Sequence, residues 1–176
     1  NENVILCQSG STILEATLSG MNYLWSTSET TETITITSPG IYYVDITNSF
    51  LCTSKKTITV IEHRIPEIDS IKVKETTVEI ILKNPENYFE YSIDGFNYQS
   101  FNLFLNAPGG LQTAYVREIN GCGTDSEDFV VLLAPAFFTP NNDSFNDFWT
   151  VKGISSYPNA ELRIFDRYGK FLKELR

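Results

Sequence analysis

The chain has 176 residues, 41% of them hydrophobic and 13% aromatic, with 20% charged, so it has the composition of a folding sequence rather than a disordered one. Its formal net charge of -9 argues against a nucleic-acid ligand, because displacing counterions from a phosphate backbone needs clustered Lys and Arg. No stretch approaches the roughly 20 apolar residues of a membrane helix, and Asn1-Glu2-Asn3-Val4 lacks the basic and apolar regions of a signal peptide, so no membrane insertion is expected and the start reads as a mature or internal one.

In chain order the signals are those of short strands. Thr33-Ile34-Thr35-Ile36-Thr37, Tyr42-Tyr43-Val44-Asp45-Ile46 and Thr57-Ile58-Thr59-Val60-Ile61 alternate and are rich in β-branched and aromatic residues. Ser19-Gly20, Ser38-Pro39-Gly40 and Thr47-Asn48-Ser49 supply turn chemistry between them. A first β-sandwich over residues 1–62 is predicted, with Trp25 in its core. Cys7 and Cys52 lie near its two ends, a separation suited to a sheet-bridging disulfide on which Trp25 would pack; two separately buried thiols are the alternative. Cys122 is left over in a turn, with a partner outside this sequence or a buried thiol as its two readings. The three cysteines match neither a zinc ligand set nor a Cys-x-x-Cys pair.

His63-Arg64-Ile65-Pro66 reads as a polar join, and a second module follows over residues 63–134. Its strands are Thr77–Leu82, Phe89–Ile93, Ala114–Ile119 and Phe129–Leu133. Asp94-Gly95, between Tyr91-Ser92-Ile93 and Phe96-Asn97-Tyr98, predicts a two-residue type I′ hairpin. No segment reads as a helix. The Lys170–Arg176 run alternates charged and apolar residues as a solvated strand does.

Pro39-Gly40-Ile41-Tyr42-Tyr43-Val44 resembles the approach to the penultimate strand of many bacterial immunoglobulin-like and PKD-like modules. Tyr91-Ser92-Ile93-Asp94-Gly95, Pro108-Gly109-Gly110 and Val116–Cys122 resemble repeats of long Bacteroidetes surface proteins. Phe137-Phe138-Thr139-Pro140-Asn141-Asn142-Asp143-Ser144-Phe145-Asn146-Asp147-Phe148-Trp149, with Leu162–Gly169 downstream, resembles the gliding-motility-associated C-terminal domain, the type B sorting signal of the type IX secretion system. The fold class implied is all-β: two tandem immunoglobulin-like sandwiches, then an incomplete sorting sandwich over residues 135–176. Asn142 and Ser144 stand where that family usually has glycine, which implies a modified turn. The family's module continues beyond the equivalent of Arg176, so this piece is expected to be incompletely folded, completed by another chain, or an excerpt.

The resemblance implies a C-terminal region of a secreted, cell-surface protein, with Phe138, Thr139, Pro140, Asn141, Asp143, Asn146 and Asp147 as the sorting motif. Its partners would be the translocon and associated outer-membrane β-barrel proteins, recognised by strand pairing and the motif turn. The competing function is an adhesin or carbohydrate-binding role in attachment or gliding, with Tyr42, Tyr88 or Tyr98 stacking on surface glycans. No cofactor is expected. Calcium is the one ion the residues raise, because Asn141, Asp143, Asn146 and Asp147 put four oxygen-bearing side chains in one turn; the spacing fails an EF-hand, and Asx-turns capping local N–H groups are the alternative use. The single histidine and the absence of a nucleophile, zincin or nucleotide fingerprint give an expectation of no enzymatic activity.

Overall fold

The computed structural model describes residues 2–175, so Asn1 and Arg176, the outermost residues of the first and last predicted domains, lie outside the described residues. Among the described residues there are fourteen strands and one 3-10 turn over Ile154–Ser156. The chain divides into two compact units: Asn1–Pro66 with Arg117–Thr124, and Glu67–Val116 with Asp125–Arg176.

The first unit is built from β1 (Glu2–Cys7), β2 (Thr12–Glu15), β3 (Asn22–Trp25), β4 (Thr33–Ile36), β5 (Gly40–Thr47) and β6 (Thr53–His63). One sheet has the order β1-β6-β5-β3 and the other pairs β2 with β4. Alternation sets their faces: in β4 the two isoleucines are buried and the two threonines exposed. Leu6, Leu14, Tyr23, Trp25, Ile34, Ile36, Val44, Ile46, Ile58 and Val60, drawn from all six strands, form one core between the two sheets. Trp25 lies in it as predicted, its indole Nε1 donating to the carbonyl of Thr31 at 2.8 Å. The predicted strands Thr33–Thr37, Tyr42–Ile46 and Thr57–Ile61 coincide with β4, β5 and β6.

Alternation did not reveal β2, nor the strands Ile68–Lys74 and Leu103–Phe104 of the second unit, nor did it reveal β1. β1 pairs in parallel with β6, Glu2 opposite Ile58 and Cys7 opposite His63. That register overturns the Cys7–Cys52 bridge. Cys52 immediately precedes β6 whereas Cys7 faces its last residue, and an 11-residue strand separates them by about 35 Å at ~3.3 Å per residue, far beyond the roughly 7 Å that a disulfide spans between Cα atoms. Cys7 is bonded instead to Cys122, with Cα atoms 5.1 Å apart, and Cys52 is an exposed free thiol. Neither reading of Cys122, nor the alternative of a buried Cys52, survives.

The second unit contains β7 (Ile68–Lys74), β8 (Thr77–Leu82), β9 (Phe89–Ser92), β10 (Leu103–Phe104), β11 (Gly110–Glu118), β12 (Thr124–Val131), β13 (Leu162–Phe165) and β14 (Phe171–Leu175). The last two residues of β11, the following turn and the first of β12 group with the first unit. Sheets β10-β8-β7 and β12-β11-β9 enclose a second core that includes Val78, Ile80, Phe89, Tyr91, Val116, Phe129 and Val131. The molecule is therefore all-β, with several small sheets.

The predicted type I′ turn at Asp94-Gly95 does not form. Only Gly95 has positive φ, at 75°, and the ladder resumes at the Tyr91–Gln99 pair, with N–H to carbonyl distances of 2.8 and 2.9 Å. The Asp94 side chain competes with the tight turn: its Oδ1 accepts the N–H of Phe96 and of Asn97, both at 2.8 Å, and the Ser92 hydroxyl at 2.9 Å. The Asn97 amide at Oδ2 completes the set, and these bonds, led by that of the Asn97 amide, hold the Asp94 carboxyl well below the usual carboxylate range.

Candidate functional site

From Leu132 to Leu175 no residue is buried. The segment leaves the second unit's core at Val131 and is held beside it by a bridge in which Leu133 and Lys152 exchange N–H to carbonyl bonds of 3.2 and 2.9 Å. Two glycines allow the close approach. A Cβ on Gly109 would come within 2.5 Å of the Leu133 Cβ, and one on Gly153, where φ is 84°, within 2.8 Å of Val130 Cγ1 and of the Val131 carbonyl oxygen. The chain then closes a loop from Pro135 to Trp149, whose indole donates to the Pro135 carbonyl at 2.8 Å.

Inside that loop the carboxylates organise the backbone. Asp147 accepts the N–H groups of Asn141 (3.1 Å) and Asn142 (2.7 Å) at Oδ1 and that of Ser144 (2.8 Å) at Oδ2. Asp143 accepts the N–H of Phe145 and the side-chain amide of Asn141, each at 2.8 Å. The Phe145 N–H, followed by the Asn141 amide, holds the Asp143 carboxyl below its ordinary value. Thr139 and Asn146 close the base, the Thr139 N–H donating to the Asn146 carbonyl at 2.8 Å. These are the Asx-type bonds weighed against calcium in the sequence, and they occupy both oxygens of Asp147 and of Asp143 with protein donors. Among the described residues no group of three or more His, Cys, Asp or Glu gathers as a metal site.

The two residues that stand where the family usually has glycine both have positive φ. Asn142 (φ 62°) and Ser144 (φ 70°) keep the left-handed conformation that glycine adopts without strain, as does Asn146 (φ 53°). The N–H groups of Asn142 and Ser144 are both bound to Asp147, so this side chain holds the conformation that two glycines would otherwise permit.

The structure brings the seven motif residues together. Phe138, Thr139, Pro140, Asn141, Asp143 and Asn146 are exposed and Asp147 is half-buried beneath them. Asp147 and Asn146 line a groove of about 750 Å³ with Asn142, Ser144 and Phe148 on one side and Leu133, Pro135, Thr150 and Lys152 on the other. A second, more apolar groove of about 740 Å³ runs between Phe137, Phe138 and Trp149 and the β13–β14 hairpin, where Ile164, Phe165 and Leu175 line it. β13 and β14 pair only with each other, from Leu162 opposite Leu175 to Phe165 opposite Phe171. The run read as a solvated strand is β14, exposed or half-buried throughout; Arg176, its last residue, lies outside the described residues.

The aromatics considered as sugar platforms are engaged in their own fold. Tyr42 and Tyr88 pack partly buried against the first and second cores, the Tyr42 hydroxyl donating to the Ser38 carbonyl, and Tyr98 is half-buried. Outside the C-terminal segment, the aromatics that stand out most are Phe50, Phe96 and Phe101, which the sequence reading did not single out as platforms. No helix among the described residues is long and apolar enough to cross a membrane.

His63, taken from the sequence as part of a polar join, is a buried residue at the end of β6. Its Nδ1 lies 2.7 Å from Oε1 of Glu118, which is itself 2% exposed. A carboxylate only accepts, so the shared proton is assigned to Nδ1. Glu118 also accepts the Asn120 amide (2.8 Å), the Asn120 N–H (2.7 Å) and the Cys122 N–H (2.9 Å). Burial alone pushes this carboxyl up, but the bonds from Cys122, His63 and Asn120 outweigh it and hold the carboxyl below its ordinary value. Sequence pattern gave no sign of this cluster, since its members are 55 residues apart and meet only in the fold.

Residues 132–174 match the family model described as the CHU_C Type IX secretion signal domain. The C-terminal part of the chain is thus a secretion-signal domain of that type. No curated protein sequence matches the chain. Among solved structures, murine CEACAM1b is similar over 72% of this chain and 94% of its own, at 10% identity and a TM-score of 0.45. A structure of Sidekick-1 immunoglobulin domains 1-5 is similar over 78% of this chain, at 15% identity and a TM-score of 0.44, and this chain spans 39% of its length. A structure of Sidekick-1 domains 1-4 is similar over 78% of this chain and 51% of its own, at 13% identity and a TM-score of 0.31.

Proposed function

From the premise that residues 132–174 are a secretion-signal domain, we propose that this chain is the C-terminal region of a protein exported to the cell surface by the type IX system. In this reading residues 1–62 and 63–134 are immunoglobulin-like spacer modules without catalytic activity, and residues 135–176 are the address. The translocon and its associated outer-membrane β-barrel proteins read the loop formed by Phe138, Thr139, Pro140, Asn141, Asp143, Asn146 and Asp147, together with strand edges offered by β13 and β14. The family match over the C-terminal segment carries the proposal. What supports it further is that the matched segment presents its motif outward on a loop fixed by its own carboxylates, a feature of the kind that a receptor recognises without a large ordering cost.

The test is a fusion of this whole region, extended to the natural C-terminus of its protein, behind a periplasmic reporter in a host with a type IX system. Export of the reporter in the intact host and its retention in a translocon mutant are expected. Export that persists in the mutant would remove the sorting role.

A further inference from the structure

The disulfide closes the chain over a separation of 115 residues, with its two Cα atoms 5.1 Å apart. Every strand from β2 to β11 lies between the two cysteines in sequence; only β1 precedes the bond, ending on Cys7, and only β12, β13 and β14 follow it. We propose that this bond is a load bypass: tension along the covalent backbone enters at β1, crosses from Cys7 to Cys122, and leaves through β12, so that β2 to β11 cannot be drawn out while the bond holds. The inference goes beyond the export reading and does not depend on it, since it follows from covalent connectivity.

Its mechanical consequence differs for the two cores. Leu14, Trp25, Val44 and Ile58 belong to strands inside the closed loop. Under load the first unit therefore exposes only β1, which is zipped in parallel to β6 from Glu2 to Cys7. The second unit exposes β12, whose Phe129 and Val131 are core residues. That strand is pulled from its Val131 end while its other end stays anchored near Cys122, so β12 and β1, which contributes Leu6 to the first core, are the core strands open to detachment. The bond itself sits where the turn is already fixed, because the Cys122 N–H is bound to the buried carboxylate of Glu118. A chain built this way stretches by a short, defined length, and the 115-residue separation closed by the bond is not extended.

Single-molecule stretching of the purified chain between handles at its two ends tests this directly. In the oxidised protein the total length released corresponds to the residues outside the loop, about 60 of them or roughly 200 Å at ~3.5 Å per residue. Adding a dithiol reductant to the same folded molecules adds about 400 Å. The Cys52→Ser variant, oxidised, gives the short extension; Cys7→Ser gives the long one without reductant. If Cys7→Ser does not fold, the reductant arm on the native chain decides alone. Equal extension with and without reductant overturns the proposal. So does an oxidised extension shortened by only about 150 Å, the length that a Cys7–Cys52 loop hides.

Discussion

A buried carboxylate with three hydrogen-bonding neighbours makes the turn after β11 sensitive to acid. Glu118 holds His63 and the Asn120 side chain at one oxygen and the N–H groups of Asn120 and Cys122 at the other. Its carboxyl titrates lower in the folded chain than the ordinary glutamate value of 4.5. The unfolded state therefore binds the proton first as pH falls. The stabilisation is complete above the ordinary value and is lost as pH drops through the lowered folded one. Denaturant melts of the oxidised chain between pH 7 and pH 3 will show first-unit stability declining over that acid range. Glu118→Gln will lower stability at pH 7 by about 1–3 kcal/mol and flatten the decline. A variant with the native acid dependence would contradict the role given to Glu118. Ser144 makes the converse case: its φ of 70° is one that a side chain resists, so Ser144→Gly, keeping the N–H that Asp147 binds, will slow hydrogen exchange in the loop relative to the native chain. Faster exchange would mean that the left-handed conformation carries no strain there.

At the scale of the elements, strand position was legible where burial is one-sided and illegible where contact is tertiary. Thr33–Ile36 and Thr77–Leu82 announce themselves because every second side chain enters a core, and a period of two is visible in any sequence. β1 is half-exposed at most positions and buries only Leu6, so its parallel pairing with β6 left little periodic trace. The disulfide was misassigned for that reason, since the register that places Cys7 opposite His63 could not be read without the pairing. Asp94-Gly95 misled in the opposite sense: the dipeptide favours a two-residue turn, but the Asp94 carboxylate found donors that made a wider loop the better-bonded choice. In the loop over residues 135–149, the residue types that suggested Asx-turns are the ones that form them, because these bonds are local and a sequence contains both partners. The anchoring of that loop is tertiary again. Gly153→Ala adds a Cβ within 2.8 Å of Val130 and the Val131 carbonyl oxygen at a φ of 84°, and it is expected to destabilise the second unit by about 1–3 kcal/mol in a chemical melt, against no change for an exposed alanine substitution at Lys173.

At the scale of the whole molecule, two cores with buried Trp25 and Phe89 contrast with a C-terminal segment that buries nothing yet carries Phe137, Phe138, Phe145, Phe148, Phe165 and Phe171 exposed. An ordinary soluble domain covers such a density of aromatics; the proposed recognition by an export machine would use them. On the proposed reading, the cores resist unfolding and the covalent loop limits extension, while the tail supplies the address. Its central claim is tested most directly on the full-length protein in its own cells, by measuring the fraction that added protease can digest at the surface. Surface exposure in cells with a working type IX translocon, and a protected periplasmic pool in cells lacking it, is the result expected. Equal surface exposure in both would contradict the account.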